Sequence, residues 1–450
     1  MSFLDALAHV DPERRAIVTA AQTVRFADLV QAARGLAPAL TGRHLVLNHP
    51  DLVQAVTLLA AADGQAATVA LMSPQHAPQV LAPLMAELAP DLVLSLQGVA
   101  LAAAGLQSAI AGDFAEIAVL LPPAPTQTAQ DTAWVLTTSG TTSTPKLVQH
   151  SLSSLTRTTR SDTARGRGQV WGMVYDYTRF AGLQLVLQSL LSGACLVLPP
   201  QDVALDVQLQ FLAQHGCTHL SATPTMWRKI LMSPQGGSLP LRQITLGGEI
   251  ADDTILASLA RAYPTARLSH IFASTEAGVG FSVTDGKAGF PATYLTDPPA
   301  GIGLRIAEGR LWVRNDQVGA AYLDGRGAVS QDGWVDTGDM VEERDARVFF
   351  KGRESGVINV GGNKVHPEEV ERVLLSHPMV QMARVYGKAN PIMGALVMAD
   401  IVPVADAPDT IRQEVTAYLR ARLEKHMVPA SLRLTNGFDV NAAGKITREG

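Results

Sequence analysis

The run Thr138-Ser139-Gly140-Thr141-Thr142-Ser143-Thr144-Pro145-Lys146 holds the residue types that grip a polyphosphate. Its hydroxyls donate hydrogen bonds, Gly140 lets successive backbone N–H groups converge on anionic oxygens, and Lys146 adds a point charge. This points to ATP chemistry without a Walker A loop, because the required spacing of two glycines before Lys and Ser or Thr is absent. Taken alone, the run also reads as a Ser/Thr/Pro turn. Thr275-Glu276 follows the apolar run Leu268 to Ser274 and offers a carboxylate to a Mg2+ ion carried by the nucleotide. The plain alternative is a helix-capping glutamate. Thr337-Gly338-Asp339 sets an acceptor beyond a glycine turn, as the two hydroxyls of a ribose require. Lys351-Gly352-Arg353 follows, and Asn441-Ala442-Ala443-Gly444-Lys445 carries a lysine on a glycine loop.

These groups need elements that end near one another. The apolar run Trp134-Val135-Leu136 reads as a buried strand feeding the phosphate loop, and open α/β sheets bind ligands at such strand ends. Short apolar runs alternate with longer amphipathic ones from Trp134 to about Phe272: Gln169 to Tyr175, Phe180 to Ser192, Ala194 to Leu198, Val203 to His215, Thr218 to Ala222, Pro224 to Met232, Gln243 to Leu246, Asp252 to Tyr263 and Arg267 to Phe272. That rhythm predicts a largely parallel sheet covered by helices, and Val46 to Leu121 repeats it. Between Gly301 and Phe350, glycine-punctuated segments such as Leu304-Arg305-Ile306 and Leu311-Trp312-Val313 predict hairpins. After Arg353 an α+β unit is expected. Its first helix opens at Pro367-Glu368-Glu369-Val370-Glu371, two β-rich runs cover Val380 to Tyr386 and Ala395 to Val402, and a second helix covers Thr410 to Lys425.

The chain of 450 residues suggests two or three structural units. Its 47% hydrophobic and 17% charged content, with mean hydropathy +0.14, excludes a largely disordered protein. A net charge of -5 argues against a nucleic-acid partner, and Arg157, Arg160, Arg165 and Arg167 are expected on a solvated helix face. Cys195 and Cys217 lack metal-ligand spacing and read as buried thiols. Met1 to Asp5 shows no signal-peptide pattern, and Gln184, Gln188 and Gly193 interrupt the apolar run Phe180 to Leu198. A cytoplasmic protein without a membrane span is the expectation.

Thr138 to Lys146, Gly247-Gly248-Glu249, Ser274-Thr275-Glu276, Thr337-Gly338-Asp339, Gly352-Arg353, Ile358 to Glu371 and Gly444-Lys445, in this order, resemble the adenylate-forming superfamily. That superfamily includes acyl-CoA synthetases, aryl-CoA ligases, luciferases and nonribosomal adenylation domains. The resemblance covers nearly the whole chain. It implies an α/β fold: a large N-terminal domain, 1–353, of layered βα sheets with a β-barrel-like subregion at about 300–353, then a small mobile α+β lid, 354–450. It also implies a two-step reaction, in which a carboxylate attacks the α-phosphate of ATP to give an acyl-AMP and pyrophosphate, and a thiol then takes the acyl group.

By the same resemblance, Thr138, Ser139, Gly140, Thr141, Thr142 and Lys146 would hold the β- and γ-phosphates. Glu276, beside Thr275, would hold Mg2+. Gly247, Gly248 and Glu249 with Phe272 would receive the adenine, Ala273 and Ser274 would line the nucleotide site, and Asp339 and Arg353 would take the ribose. Lys445 would bridge the substrate carboxylate and the α-phosphate. The lid of such enzymes rotates between the two steps, which puts the hinge just after Arg353 and turns Gly361-Gly362 toward the thiol channel. This chain departs from the pattern at Ser355, where Asp or Lys is common, at Ser143, where glycine is usual, and at Asn359, where some relatives carry a second working lysine. Lys364 stands where others place a basic residue.

The acyl pocket would be lined from Tyr175-Asp176-Tyr177-Thr178-Arg179-Phe180-Ala181-Gly182. A gap-free count puts Phe180 where amino-acid-activating relatives have an aspartate, which disfavours amino acids unless Asp176 takes that place. Arg179 falls where many CoA ligases have histidine. Either it meets a second carboxylate or CoA phosphates, or it pairs with Asp176 to hold the loop. The acceptor is expected to be external, coenzyme A first, because Val360 to Glu371 looks more like acyl-CoA synthetases than nonribosomal domains. A separate carrier protein or an amine is the alternative. The opposing reading is a catalytically idle nucleotide-binding protein, supported only by Ser143, Ser355 and Asn359.

Overall fold

A computed structural model describes residues 1–106, 108–121, 131–138, 146–299, 301–315, 321–323, 332–440 and 445–446, without the side chains of 118, 119, 321 and 322. Ser139 to Pro145 of the phosphate loop and 441–444 lie outside the described residues. Two sheets form the body. In the first, strands Val170–Gly172, Cys195–Val197, His219–Ala222, Gln243–Gly247 and Arg267–Ser274 run parallel with Arg15–Val18, and antiparallel strands Thr23–Arg25 and Gly278–Val283 close its edges. In the second, His44–Asn48, Thr68–Leu71, Leu92–Ser95, Ala109–Ala111 and Ala133–Thr137 are parallel. Leu147–His150 and Ala321–Tyr322 extend it antiparallel.

Side chains alternate across a strand, and parallel strands covered on both faces must be apolar on both. In the second sheet, Leu45, Leu47, Val69, Leu71, Leu92, Leu94, Trp134 and Leu136 enter one core, while Val46, Ala70, Val93 and Val135 enter another with Leu81, Leu84 and Leu101. The first core also takes Ile17 and Leu196 from the first sheet and lies around helices Leu52–Ala62 and Phe180–Leu191. Those two helices are buried on nearly every side, which explains why both are apolar round their circumference. The expected βα series from Gln169 to Phe272 forms, each element within a few residues of its sequence run.

The β-rich unit is a five-stranded antiparallel sheet that begins at Phe290–Pro291, ahead of the boundary near 300. Its hairpin Ile302–Ala307 and Arg310–Asn315 turns at Glu308-Gly309, both at positive φ. Beyond the short 3-10 turn Glu354–Gly356, strands Ile358–Val360, Asn363–Val365, Val380–Asn390, Gly394–Pro403 and Ser431–Leu434 form a separate sheet. Val365, Val370, Leu374, Val385, Ile401 and Val415 fill its own core with helices Pro367–Leu375 and Ile411–Arg420.

Two expectations are corrected. The second C-terminal helix stops at Arg420 rather than Lys425, because the backbone N–H groups of both Arg422 and Leu423 return to Leu419 and tighten the last turn. The arginine cluster is not one solvated face. The helices there, Leu152–Leu155 and Thr163–Gly166, are single turns, and the Arg157 guanidinium turns inward to donate to the carbonyls of Val279 and, at 3.3 Å, Gly280. Arg160, Arg165 and Arg167 remain exposed. Cys195 and Cys217 are buried free thiols, and burial pushes the Cys217 thiol up to about 12. Among the described residues no helix is long and apolar enough to cross a membrane.

Candidate active site

The candidate groups gather at the carboxyl ends of the parallel strands. Strand Ala133–Thr137 delivers Thr138, whose N–H donates to the Lys146 carbonyl at 2.9 Å, so the phosphate loop is closed at its base on a buried threonine. Strand Leu147–His150 leaves that loop and ends in His150, which is 5% exposed and packs its ring 6.0 Å from that of Phe180. His150 faces the backbone of Thr275, and burial pushes its pKa down to about 4. Thr275 belongs to the turn Thr275–Ala277, which joins strands Arg267–Ser274 and Gly278–Val283 and bears half-buried Glu276, so the strand Leu147–His150 ends beside that turn. Ser274 Oγ accepts from Ala277 N at 3.0 Å and tightens that turn. Glu276 lies in a strand-to-strand turn, so the helix-capping alternative does not apply.

Strand Gln243–Gly247 ends in Gly248-Glu249. Glu249 accepts from Thr225 N at 2.9 Å, which fixes the turn on helix Pro224–Met232, itself capped by Thr223. Gly248 sits at φ +80, which glycine permits, and a Cβ there would stand in ordinary contact 3.4 Å from Lys445 Cε, so the lysine lies against this turn. The Tyr175 phenol bonds the Ser221 hydroxyl; burial pushes its pKa up, and the nearby Glu249 charge pushes it further. Ala273, on the strand ending in Ser274, is half-buried. Phe272, expected against the adenine, lies nearly parallel to Phe281 and Phe350, with centroids 5.4 and 5.3 Å away, so protein rings already cover part of its face.

Asp339 and Arg353 are cross-strand partners, with Nε and Oδ1 3.4 Å apart. Burial raises the Asp339 pKa, while the Arg353 charge, the Thr337 hydroxyl and the Lys445 charge oppose that rise. Lys445, 106 residues beyond Asp339 in the chain, therefore reaches this acidic group and the Gly248 turn together. The bridge Val440↔Ile446 closes its loop, and Ile446 packs on Met382, Val402 and Phe438 of the C-terminal unit. Gly361-Gly362 forms the exposed turn of hairpin Ile358–Val360 and Asn363–Val365, beside Met393, and Lys364 is exposed on the same hairpin. Ser355 lies in the 3-10 turn Glu354–Gly356.

In the expected acyl segment, Gly182 packs so closely on the Asp176 carbonyl that any side chain would collide with it. The alternative ion pair between Arg179 and Asp176 does not form. Asp176 instead accepts from Ser73 Oγ at 2.6 Å, Thr178 N at 2.9 Å and Thr178 Oγ1 at 2.6 Å. Arg179 turns to Thr137 Oγ1 at 3.4 Å and His76 Nε2 at 2.5 Å. His76, His150 and Ser221 are site residues that sequence reasoning did not name. A histidine closing the strand after the phosphate loop was a usable signal for His150, whereas His76 lies 103 residues from Arg179 and no spacing links them.

Parallel strands ending in a phosphate loop, a carboxylate turn and a ribose-type Asp/Arg pair, with a lysine supplied by a second unit, define a two-unit nucleotide-activating enzyme. The chain belongs to the AMP-binding enzyme family: that family's model matches residues 4–323, and the AMP-binding enzyme C-terminal domain matches 369–445. It is 29% identical over 362 residues to the 2-succinylbenzoate–CoA ligase of Bacillus velezensis, covering 76% of this chain and 72% of that protein. It is 26% identical over 350 residues to a probable non-canonical nonribosomal peptide synthetase of Salinispora arenicola, covering 70% of this chain but 4% of that much longer protein. Its fold matches the crystal structure of an anthranilate CoA ligase solved with anthranoyl-AMP, at TM-score 0.83 and 17% identity, over 99% of this chain and 95% of that one.

Proposed function

We propose that the chain activates a carboxylic acid with ATP and passes the acyl group to the thiol of coenzyme A. In the first step a carboxylate oxygen bonds to the α-phosphorus, the bond to the β-phosphate breaks, and pyrophosphate leaves. In the second, the thiol sulfur bonds to the acyl carbon, its proton is lost, and AMP departs. The observation that carries this reading is Lys445, which reaches the Gly248 turn and the Asp339 charge from a separate unit. A cation there offsets the repulsion between two approaching anions, worth roughly 4 kcal/mol at about 4 Å and an effective dielectric near 20.

The other chain residues take roles consistent with their places. Thr138 and Lys146 frame the phosphates, Asp339 accepts from the ribose hydroxyls with Arg353 beside it, and the Gly247 to Glu249 turn meets the base. Half-buried Glu276, on the turn Thr275–Ala277, would suit a hard cation carried by the nucleotide. Glu276 would hold Mg2+, which would supply neutralisation of phosphate charge. The C-terminal unit must leave its present pose for the thiol to enter, and the turn Glu354–Gly356 with Ser355 is the segment about which it pivots. A carrier-protein thiol is the second reading, favoured by the match to the nonribosomal synthetase.

The test is pyrophosphate release over fatty, aryl, dicarboxylic and amino acids, with and without coenzyme A. Release with one acid class, raised by coenzyme A and accompanied by a thioester mass, is expected. Acyl-AMP that coenzyme A leaves untouched transfers the reading to a carrier protein or an amine. Silence with every acid overturns it in favour of an idle nucleotide-binding protein.

A further inference from the structure

We propose that Arg179, held from behind by His76, is an anion subsite that receives a second carboxylate on the acid substrate. This deepens the ligase reading and rests on it. Arg179 is a largely buried guanidinium whose Nε is out of solvent and has no hydrogen-bond partner. Its hydrogen-bond partners are neutral: Nη1 donates to Thr137 Oγ1 at 3.4 Å and Nη2 to His76 Nε2 at 2.5 Å. Arginine always donates, so His76 accepts through Nε2 and carries its proton on Nδ1. Burial and the Arg179 charge both lower the His76 pKa, which keeps that imidazole neutral.

Asp176 is the carboxylate nearest in sequence, and it stays outside ion-pair distance because Ser73 and Thr178 occupy its oxygens. Its charge still favours the Arg179 cation, against burial. A buried cation without a paired anion is expensive, and the usual remedy is a partner with two oxygens that the guanidinium fork can meet. Here the fold leaves that partner to come from outside. Arg179 reaches Thr137, next to Thr138 at the base of the phosphate loop, and precedes Phe180, whose ring packs 6.0 Å from that of His150, so an anion on Arg179 lies beside these candidate site residues. His76 is a positioning residue that fixes the guanidinium from the loop after strand Thr68–Leu71.

The experiment measures kcat and KM for thioester formation on matched acids, butyrate against succinate, hexanoate against adipate, and benzoate against phthalate and isophthalate. The expected result is a diacid preferred at least tenfold in kcat/KM in one pair. Arg179→Met should collapse that ratio at least tenfold through the diacid's KM, and Arg179→Lys should restore part of it. The same diacid should raise the melting temperature of the wild type in the absence of ATP and leave Arg179→Met unmoved. A wild type that favours the monoacid in every pair overturns the subsite while leaving the ligase intact. So does an Arg179→Met enzyme whose KM for ATP rises equally with every acid, because the anion is then a nucleotide phosphate. Silence of the wild type with all these acids and with the wider panel defeats the ligase reading itself.

Discussion

The body and the C-terminal unit contribute to the site by different physical means. In the body, Thr138, Glu249, Ser274 and Asp339 each sit at the end of a buried strand or within a paired one, and hydrogen bonds to their own turns fix them. Their placement is therefore a by-product of folding. The C-terminal unit contributes Lys445 on a loop closed by one bridge, Val440↔Ile446, over a small cluster of Met382, Val402, Phe438 and Ile446. It meets the body through polar contacts: Lys351 to Glu369 at 3.5 Å, an attraction between Lys229 and Asp439, and Gly352 against the Glu368 carboxylate. The body holds its groups on paired strands, and a separately folded unit with its own core brings Lys445, so under the proposed function binding and chemistry should separate on mutation.

The largest effect should come from that cation. Lys445→Ala is expected to slow acyl-AMP formation on the order of 100-fold or more, as loss of a preorganised transition-state charge does. Nucleotide affinity, set by the body, should change far less. Single-turnover formation of acyl-AMP alongside equilibrium binding of an ATP analogue measures both. Equal losses in the two would break the division between the halves.

Asp339→Asn tests the body's side of the comparison. Losing a charged acceptor costs about 1.5–3 kcal/mol, so the KM for ATP should rise about 10- to 100-fold. Because burial raises the Asp339 pKa, the carboxylate takes up a proton at a higher pH than an ordinary aspartate. ATP affinity should then fall, on acidification, at a pH above the ordinary 3.8, and Asp339→Asn should remove that inflection. The folded state holds this proton more tightly than the unfolded one, so the group lowers stability as pH rises from 3.8 through the raised value.

How much of this was readable from residues alone follows the same division. The βα series was legible because strands such as Cys195–Val197, buried at every position, read as uninterrupted apolar runs. The loop and turn residues were legible because phosphate, ribose and carboxylate chemistry each demand particular residue types. What was not legible is side-chain direction. Arg157 looked solvated and turns inward to the carbonyls of Val279 and Gly280; Arg179 looked ready for Asp176 and reaches His76 instead. Both outcomes depend on which strands neighbour which, since Thr68–Leu71 lies beside Ala133–Thr137 only through the sheet order.

His150 joins the two sheets of the body and carries a pH-dependent cost. Its folded pKa of about 4 lies below the ordinary 6.5, so the unfolded chain binds the proton first as pH falls. Stability is full above pH 6.5 and declines as pH drops toward 4, with this group accounting for about 2 kcal/mol between pH 7.5 and 5. His150→Phe should remove that share of the acid sensitivity, seen as a smaller shift of the urea midpoint between those two pH values. An unchanged shift would mean that His219, also pushed down to about 4 by burial, carries the effect.

The smallest effect should lie at the seam between the halves. Lys351 and Glu369 are partly exposed, with side chains 32% and 23% accessible, and such pairs are worth about 0.2–1 kcal/mol. The pair spans strand Arg347–Arg353 and helix Pro367–Leu375, on either side of the turn Glu354–Gly356. Lys351→Gln removes a contact between the body and the C-terminal unit, and under the proposed function acyl-AMP formation should slow by about 1.4- to five-fold. Under the proposed pivot, thioester formation from supplied acyl-AMP uses a different arrangement of the unit, so its rate should hold or rise. Rapid-quench measurement of each half-reaction distinguishes this from a general loss of activity. Equal slowing of both steps would show that the contact supports the fold of the C-terminal unit rather than its docking.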